Sequence, residues 1–320
     1  MAIYTEISFS QVQLILKDYN IGHLKKLIGI KKGIENTNYL LVTNKNKFIL
    51  TIYEKRVNSK ELPFFMHLMK KLNAKQINCP KPILNKKRKF LFTVEKKLAS
   101  ITSFVHGKEK KNHSLNESKI IGNNIAKLHL ATKNIKLYRK NNLSLQSWFA
   151  LNNLIKKSKS KKINRLCKWI DTILQDLKKQ WPSNLPSGII HADLFHDNIF
   201  FLKKKFSGFI DLYFSCNDAY VYDLAICINA ICFDSKFKFK VNKAKALIKG
   251  YQQIRKLTQK EILALPYLLR GAAIRFYLTR LYDQLNQQKG AIVKVKNPNE
   301  FLQKIKFHLQ FKQYEKISQS

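Results

Sequence analysis

The spacing of apolar residues changes once along this chain, and that change restricts the folds open to it. Up to about residue 106 the apolar runs are short and bounded by polar turns: HLKKLIGI at 23–30, NYLLVT at 38–43 and KFILTIY at 47–53, the last two joined by NKN. Two more strand-like runs fall near 90–94 and 98–104. Two helices are expected in this region, one beginning at the Ser8 cap of SFSQVQLILKDYN and one from about Leu62 to Ala74, stopped by the prolines of NCPKPI. Beyond it helical periodicity takes over, at 114–131, 145–179, 219–232, 241–255 and 259–286. A strand at 188–190 and a strand pair at 199–202 and 206–211 interrupt the helices. The pattern predicts an α+β chain: a small sheet with one main helix, then a mostly helical region carrying an inserted hairpin.

At 320 residues, 45% of them hydrophobic, the chain has enough apolar material for substantial cores, which argues against disorder. The five cysteines, at 79, 167, 216, 227 and 232, are odd in number and lack CxxC spacing, so neither a disulfide framework nor a zinc site is expected. No apolar run approaches the roughly 18–20 residues that cross a bilayer. The start, MAIYTEISFSQ, lacks the basic residues and apolar block of a signal peptide, and the expected location is cytoplasmic. A formal net charge of +40 invites a nucleic-acid reading. Yet only eight of the sixty basic residues are Arg, and the Lys is spread over the whole chain. Planar recognition of phosphates and bases favours Arg, so the excess is read as a solvated surface.

The chemistry concentrates in GIIHADLFHDNIFF, residues 188–201, where His191, Asp193 and Asn198 sit on a loop held between two apolar runs. Asp211 then ends the second strand of the hairpin, in GFIDLYF. Asp and Asn are common turn formers, and a His in such a place is often a satisfied core residue. What favours chemistry is the combination: two carboxylates and a carboxamide brought toward one point. Phosphoryl transfer needs such a set, one carboxylate to orient and deprotonate the attacking hydroxyl, and hard oxygens to hold the metal that bridges nucleotide phosphates.

HADLFHDN followed by FIDLYF resembles the catalytic loop and metal-binding strand of the aminoglycoside-phosphotransferase-like kinases, distant relatives of protein kinases. The resemblance extends through MAIYTEIS, GIENTNYLL, FILTIYEKRV, LPFFMHLMKKL, INCPKP, YDLAICINAICF and RGAAIRFYLTRLYD, which are similar to the bacterial homoserine kinases of that superfamily. It implies a two-lobed protein-kinase-like fold, with residues 1–106 as a nucleotide-binding lobe built on a small antiparallel sheet and 107–320 as a helical lobe for catalysis and acceptor binding. It also implies ATP and Mg²⁺, and phosphorylation of the side-chain hydroxyl of L-homoserine in threonine biosynthesis. An aminoglycoside, choline or methylthioribose acceptor is the nearest alternative. A non-catalytic basic RNA-binding protein on the same fold is the alternative of another class, against which intact Asp193, Asn198 and Asp211 stand. Neither a specific nucleic acid nor a membrane is an expected partner.

Carried over by residue, the resemblance makes Asp193 the catalytic base, His191 a brace for its loop, and Asn198 and Asp211 the metal ligands. Asp223, in YDLA, is expected to bury its carboxylate and help hold the loop. KKGIENTNY resembles the phosphate-covering loop, with Gly33 allowing the turn and Asn36, Thr37 and Asn38 offering polar groups. ITSFVHG resembles the hinge, where backbone groups of Ser103 and Val105 would pair with adenine. Two departures stand out. Where kinases carry a phosphate-binding Lys on the third strand, this chain has Thr51, with Lys55 and Arg56 just beyond, and the only nearby helix acid is Glu61. For the acceptor's carboxylate and ammonium, Arg270, Arg275 and Arg280 at near-helical spacing and Asp218 are the candidates.

Overall fold

The computed structural model describes residues 4–30, 36–54, 58–286 and 296–318. They gather in two compact units, one built on Met1–Gly107 with Ser207–Ile210, the other on Lys108–Phe206 with Asp211–Lys289 and Lys294–Ser320. The first unit opens with α1 (Phe9–Leu16), whose Ser8 cap and Gln11 form a reciprocal capping box. Then come β1 (Leu24–Ile30), β2 (Thr37–Thr43), β3 (Lys47–Ile52), α2 (Leu62–Ala74), β4 (Leu91–Val94) and β5 (Lys97–Ser103). The strands form one antiparallel sheet in the order β1-β2-β3-β5-β4. In β2 the side chains of Thr37, Tyr39, Leu41 and Thr43 are buried at period two, the signature of a strand with one face on a core. Val12 and Leu16 of α1 meet Leu41, Leu50, Ile52 and Ile101 there. Each such side chain contributes about 1.5–3 kcal/mol by leaving water.

The second unit contains β6 (Lys108–Glu109), α3 (Leu115–Thr132), α4 (Leu145–Lys156), α5 (Lys161–Gln180), β7 (Ser187–Ile190) and β8 (Ile199–Leu202). After β8 the chain returns through β9 (Lys205–Phe209) to β10 (Cys216–Ala219), α6 (Tyr220–Ile231), α7 (Val241–Gln252), α8 (Gln259–Leu285), α9 (Asn299–Gln310) and α10 (Glu315–Ser318). All twelve residues of α6 are buried, as an almost uniformly apolar helix requires. Helices α3 and α7 pack backbone against backbone, and glycines permit it. A Cβ on Gly122 would stand 1.9 Å from the Leu247 carbonyl oxygen, and one on Gly250 would stand 1.9 Å from that of Lys119. All five cysteines are buried and unpaired.

Four readings change. The helical stretch at 145–179 is two helices, separated at Lys157–Ser160, where the Ser160 hydroxyl accepts the Ile163 N–H and starts α5 anew. The strand expected to end at Asp211 ends at Phe209, and Asp211 takes a left-handed conformation (φ 60°, ψ 58°), which Asp tolerates better than most residues. The polar segment CNDA is a strand, β10, pairing antiparallel with β7 from Cys216↔Ile190 to Ala219↔Ser187. Finally, α8 has the length and mean hydropathy of a membrane-crossing helix despite its three arginines, but 67% of its apolar window is buried inside the protein, as in a core helix.

Because the α3–α7 crossing is backbone against backbone, Gly122→Ala and Gly250→Ala are each expected to destabilise by about 1–3 kcal/mol through overpacking. The readout is the urea midpoint of the second unit's transition; an unchanged midpoint would show that the helices separate freely.

Candidate active site

The loop between β7 and β8 is anchored from below. Leu194 and Phe195 are buried, and the Phe195 ring lies 4.6 Å from that of Phe276 in α8. Anchors on both sides leave Asp193 partly exposed between them. Asn198 closes the loop: its Nδ2 donates to the backbone oxygen and to Oδ2 of Asp193, both at 2.8 Å. With both amide hydrogens so used, the Asn198 carbonyl oxygen is the group left to face a ligand. His191 is fully buried, and its Nδ1 accepts the Asp193 N–H at 3.3 Å. Asp211 stands exposed in the left-handed turn that precedes β10. Since Ile190 pairs with Cys216, the loop of Asp193 leaves, and the turn of Asp211 enters, the same end of the β7–β10 ladder.

The residue before Asp193, Ala192, has φ 62°, a conformation that costs a residue with a Cβ about 1–2 kcal/mol. Asp223, from α6, holds it there. Its Oδ1 accepts the Ala192 N–H and its Oδ2 the His191 N–H, each at 2.7 Å, and its carboxylate is fully buried. His129 of α3 bonds the same Oδ2 through Nε2 at 3.0 Å. Sequence reading placed Asp223 under the loop, but nothing in IAKLHLA singled out His129.

Burial raises the pKa of Asp193, while the positive charges of Arg275 and Lys296 pull the other way. A carboxylate held in that balance binds a proton more readily than a solvated one and still has cations to keep it ionised. Lys296 also pairs with Asp197 at 2.8 Å, an interaction the sequence did not suggest. The three candidate arginines of α8 separate. Arg270 pairs with Asp176 at 3.1 Å, and Arg280 with Glu300 at 2.7 Å. Arg275 is 1% exposed, and its Nε and Nη1 have no hydrogen-bond partner among the described residues. Burial likewise raises the pKa of Asp218, opposed by hydrogen bonds from Asn141 Nδ2 (2.6 Å) and the Ala219 N–H (2.7 Å) and by the charge of Arg275. Among the described residues no three His, Cys, Asp or Glu side chains cluster as a metal cage. A divalent cation here would rest on the oxygens of Asn198 and Asp211 together with those of a bound phosphate, a donor set that suits a hard ion.

In the first unit Gly33, Lys55 and Arg56 lie outside the described residues. The Thr37 hydroxyl is committed: it accepts the N–H groups of Tyr4 (2.9 Å) and Thr5 (3.2 Å) and donates to Glu54 Oε1 at 2.8 Å. Glu54 also binds Thr5 and Lys97, and although burial opposes it, these hydrogen bonds hold its carboxyl below the usual range. Asn36 Oδ1 accepts the Glu54 N–H at 3.3 Å, and Asn38 Oδ1 accepts the Thr51 hydroxyl at 2.8 Å, so the residue in place of the kinase Lys ties β3 to β2. Glu61 forms the N-cap of α2, without a side-chain capping bond. The Ser103 N–H and hydroxyl are both engaged with Lys81, at 2.8 and 2.9 Å. Val105 makes no hydrogen bond to the described residues.

Residues 26–257 match the model of the APH phosphotransferase enzyme family. Over 308 residues the chain is 44% identical to a homoserine kinase of Parvibaculum lavamentivorans, covering 96% of each. It is 43% identical over 310 residues to one of Brucella anthropi, covering 97% of this chain and 95% of the relative. Among solved structures it resembles a spectinomycin phosphotransferase in complex with ADP and spectinomycin (TM-score 0.73, 14% identity, 98% of this chain and 100% of that one). It also resembles a microcompartment-associated aminopropanol kinase (TM-score 0.68, 15% identity, 94% of each). The helix-rich unit around the HADLFHDN loop and the five-stranded antiparallel sheet are thus those of a protein-kinase-like fold, and the chain belongs to the APH phosphotransferase enzyme family and, within it, to the homoserine kinases.

Proposed function

We propose that this chain transfers the terminal phosphoryl group of ATP to the side-chain hydroxyl of L-homoserine, giving O-phospho-L-homoserine for threonine formation in the cytoplasm. Near-full-length identity to homoserine kinases supports the acceptor. The observation that carries the chemistry is the Asp193–Asn198 bond, which joins a carboxylate of raised proton affinity to an amide whose oxygen has no partner among the described residues. In this reading Asp193 Oδ accepts a hydrogen bond from the homoserine hydroxyl and aims its oxygen at the γ-phosphorus. As the new O–P bond forms, the bond to the β-phosphate oxygen breaks, its electron pair leaves with ADP, and the hydroxyl proton passes to Asp193. Asn198 and Asp211 would hold Mg²⁺, which supplies charge neutralisation at the phosphates when bound. Phe195 and Leu194 keep the loop from following its substrate, and Arg275 keeps Asp193 ionised before attack.

The nucleotide belongs, on the same reading, to residues 1–106, and acceptor binding to 107–320. The backbone of Val105, without a hydrogen bond to the described residues, is the group left for adenine, while the engaged N–H of Ser103 contributes position rather than a contact. Asn36, Thr37 and Asn38 belong to the sequence of the phosphate-covering segment, and of these the Thr37 hydroxyl is already engaged. For the acceptor, Arg275 is the arginine of α8 with no ion pair of its own among the described residues and with Nε and Nη1 unbonded there, which favours an incoming carboxylate. Asp218 is the matching acid for the ammonium.

Asp193→Asn is expected to lower kcat by several orders of magnitude, about 10³-fold or more if the base is essential, with nucleotide affinity retained; near-normal turnover would end the assignment. The same variant tests the electrostatics. Because the folded-state pKa is raised, the charged form costs stability that appears as pH rises through that pKa. Asp193→Asn should therefore melt higher than wild type at pH 7 and lose that advantage on acidification toward pH ~4. Asp211→Ala is expected to weaken Mg²⁺-dependent nucleotide binding, read by calorimetry with and without the metal. Arg275→Met should raise the KM for homoserine about 100-fold, whereas for an amino alcohol lacking the carboxylate it should change little. Equal losses for both acceptors would remove Arg275 from the carboxylate site.

A further inference from the structure

Beneath the loop of Asp193, four helices of the second unit contribute a continuous line of buried and half-buried polar atoms that the chemistry described so far does not use. Arg255, just past α7, donates from Nη1 to Tyr251 Oη at 3.1 Å. Tyr251 Oη lies 2.9 Å from His129 Nδ1 in α3. His129 Nε2 lies 3.0 Å from Oδ2 of Asp223 in α6, and Asp223 holds the amides of His191 and Ala192. At the far end Arg255 is clamped by Glu261 in the first turn of α8, through contacts of 2.9 and 3.1 Å.

The direction of every link follows from its ends. A guanidinium only donates, and an ionised carboxylate only accepts. Tyr251 therefore accepts from Arg255, and its single proton goes to His129 Nδ1. That places the imidazole proton on Nε2, pointing at Asp223. A neutral ring agrees with this, since burial lowers the His129 pKa against the opposing influence of Asp223. The ring is also fixed in plane, lying 4.7 Å from the Tyr220 ring at 28°, with Arg255 4.9 Å from the other partner of that stack. The tautomer, and with it the donor that orients the Asp223 carboxylate, is thus set by a residue far from the loop.

We infer that Tyr251 and His129 are positioning residues for phosphoryl transfer, forming with Arg255 a one-way hydrogen-bond relay that acts through Asp223 on the loop carrying Asp193. Ala192 keeps its left-handed conformation only while both amides stay on a correctly turned carboxylate. If the relay is cut, Asp223 loses the donor that fixes its rotation, and Asp193 moves with the loop. This inference rests on the reading of Asp193 as the group that orients the hydroxyl.

Tyr251→Phe in the full chain is the test, because it removes one oxygen, keeps the ring and leaves the Arg255–Glu261 pair intact. With ATP and L-homoserine, kcat is expected to fall about tenfold, as slight misplacement of a reacting group does, while both KM values stay within about twofold. Hydrogen exchange in the peptide holding His191 and Ala192 should quicken, with exchange in α6 unchanged. His129→Gln, which keeps an N–H for Asp223, should retain more turnover than His129→Leu. Wild-type kcat in Tyr251→Phe overturns the relay even if the protein melts lower. So does a loss of kcat without faster exchange at those two amides. Asp193→Asn in the same assay separates the two readings: if it stays active, the role of Asp193 fails; if it is inactive while Tyr251→Phe is fully active, only the relay fails.

Discussion

The buried carboxylate of Asp223 is the constraint from which the geometry of the loop follows. A strand that ends at Ile190 has to release the chain into a loop whose next residues face both the core and a ligand. Ala192 does this in a conformation that alanine disfavours, and two backbone N–H groups donating to one carboxylate compensate for it. A buried charge is tolerated only where its hydrogen-bonding capacity is met, and here two amides and an imidazole meet it. The consequence runs outward: Asp193 is fixed in direction, and Asn198 closes on it through its side-chain amide.

Charge in this chain serves two unlike purposes. Lysine covers the surface, while several of the few arginines are spent inside, where a planar fork can be matched to an acid: Arg255 with Glu261, Arg280 with Glu300. Arg275 breaks this pattern, being buried with two nitrogens unmatched among the described residues. Its charge instead reaches the carboxyls of Asp193 and Asp218, whose proton affinity it lowers against the effect of burial.

Much of this was legible from residue order. The short apolar runs of β2 and β3 bounded by a polar turn, the Ser8 cap and the prolines after α2 fix local structure by local rules, and α2 runs over the expected Leu62–Ala74. Asp193 and Asn198 were legible because five-residue spacing on one loop is itself local. Other features depend on distant partners. The break before α5 carries neither Gly nor Pro and depends on one serine cap; β10 is polar and exists because β7 needs a neighbour. His129 meets Asp223 across 94 residues and Tyr251 across 122, so no window on the sequence contains the relay. The three arginines of α8 look alike along the chain, and only the placing of Asp176 and Glu300 tells them apart.

The buried thiols have a consequence of their own. Burial pushes Cys79, Cys216 and Cys232 up to about 12, and since the thiolate is the reactive form, the fold disfavours their reaction with alkylating reagents. Cys79 belongs to the sheet unit and the other four to the helical one. The protein therefore carries its own pair of stopwatches: the moment each thiol becomes labelled dates the opening of the unit that hides it, with no engineered probe.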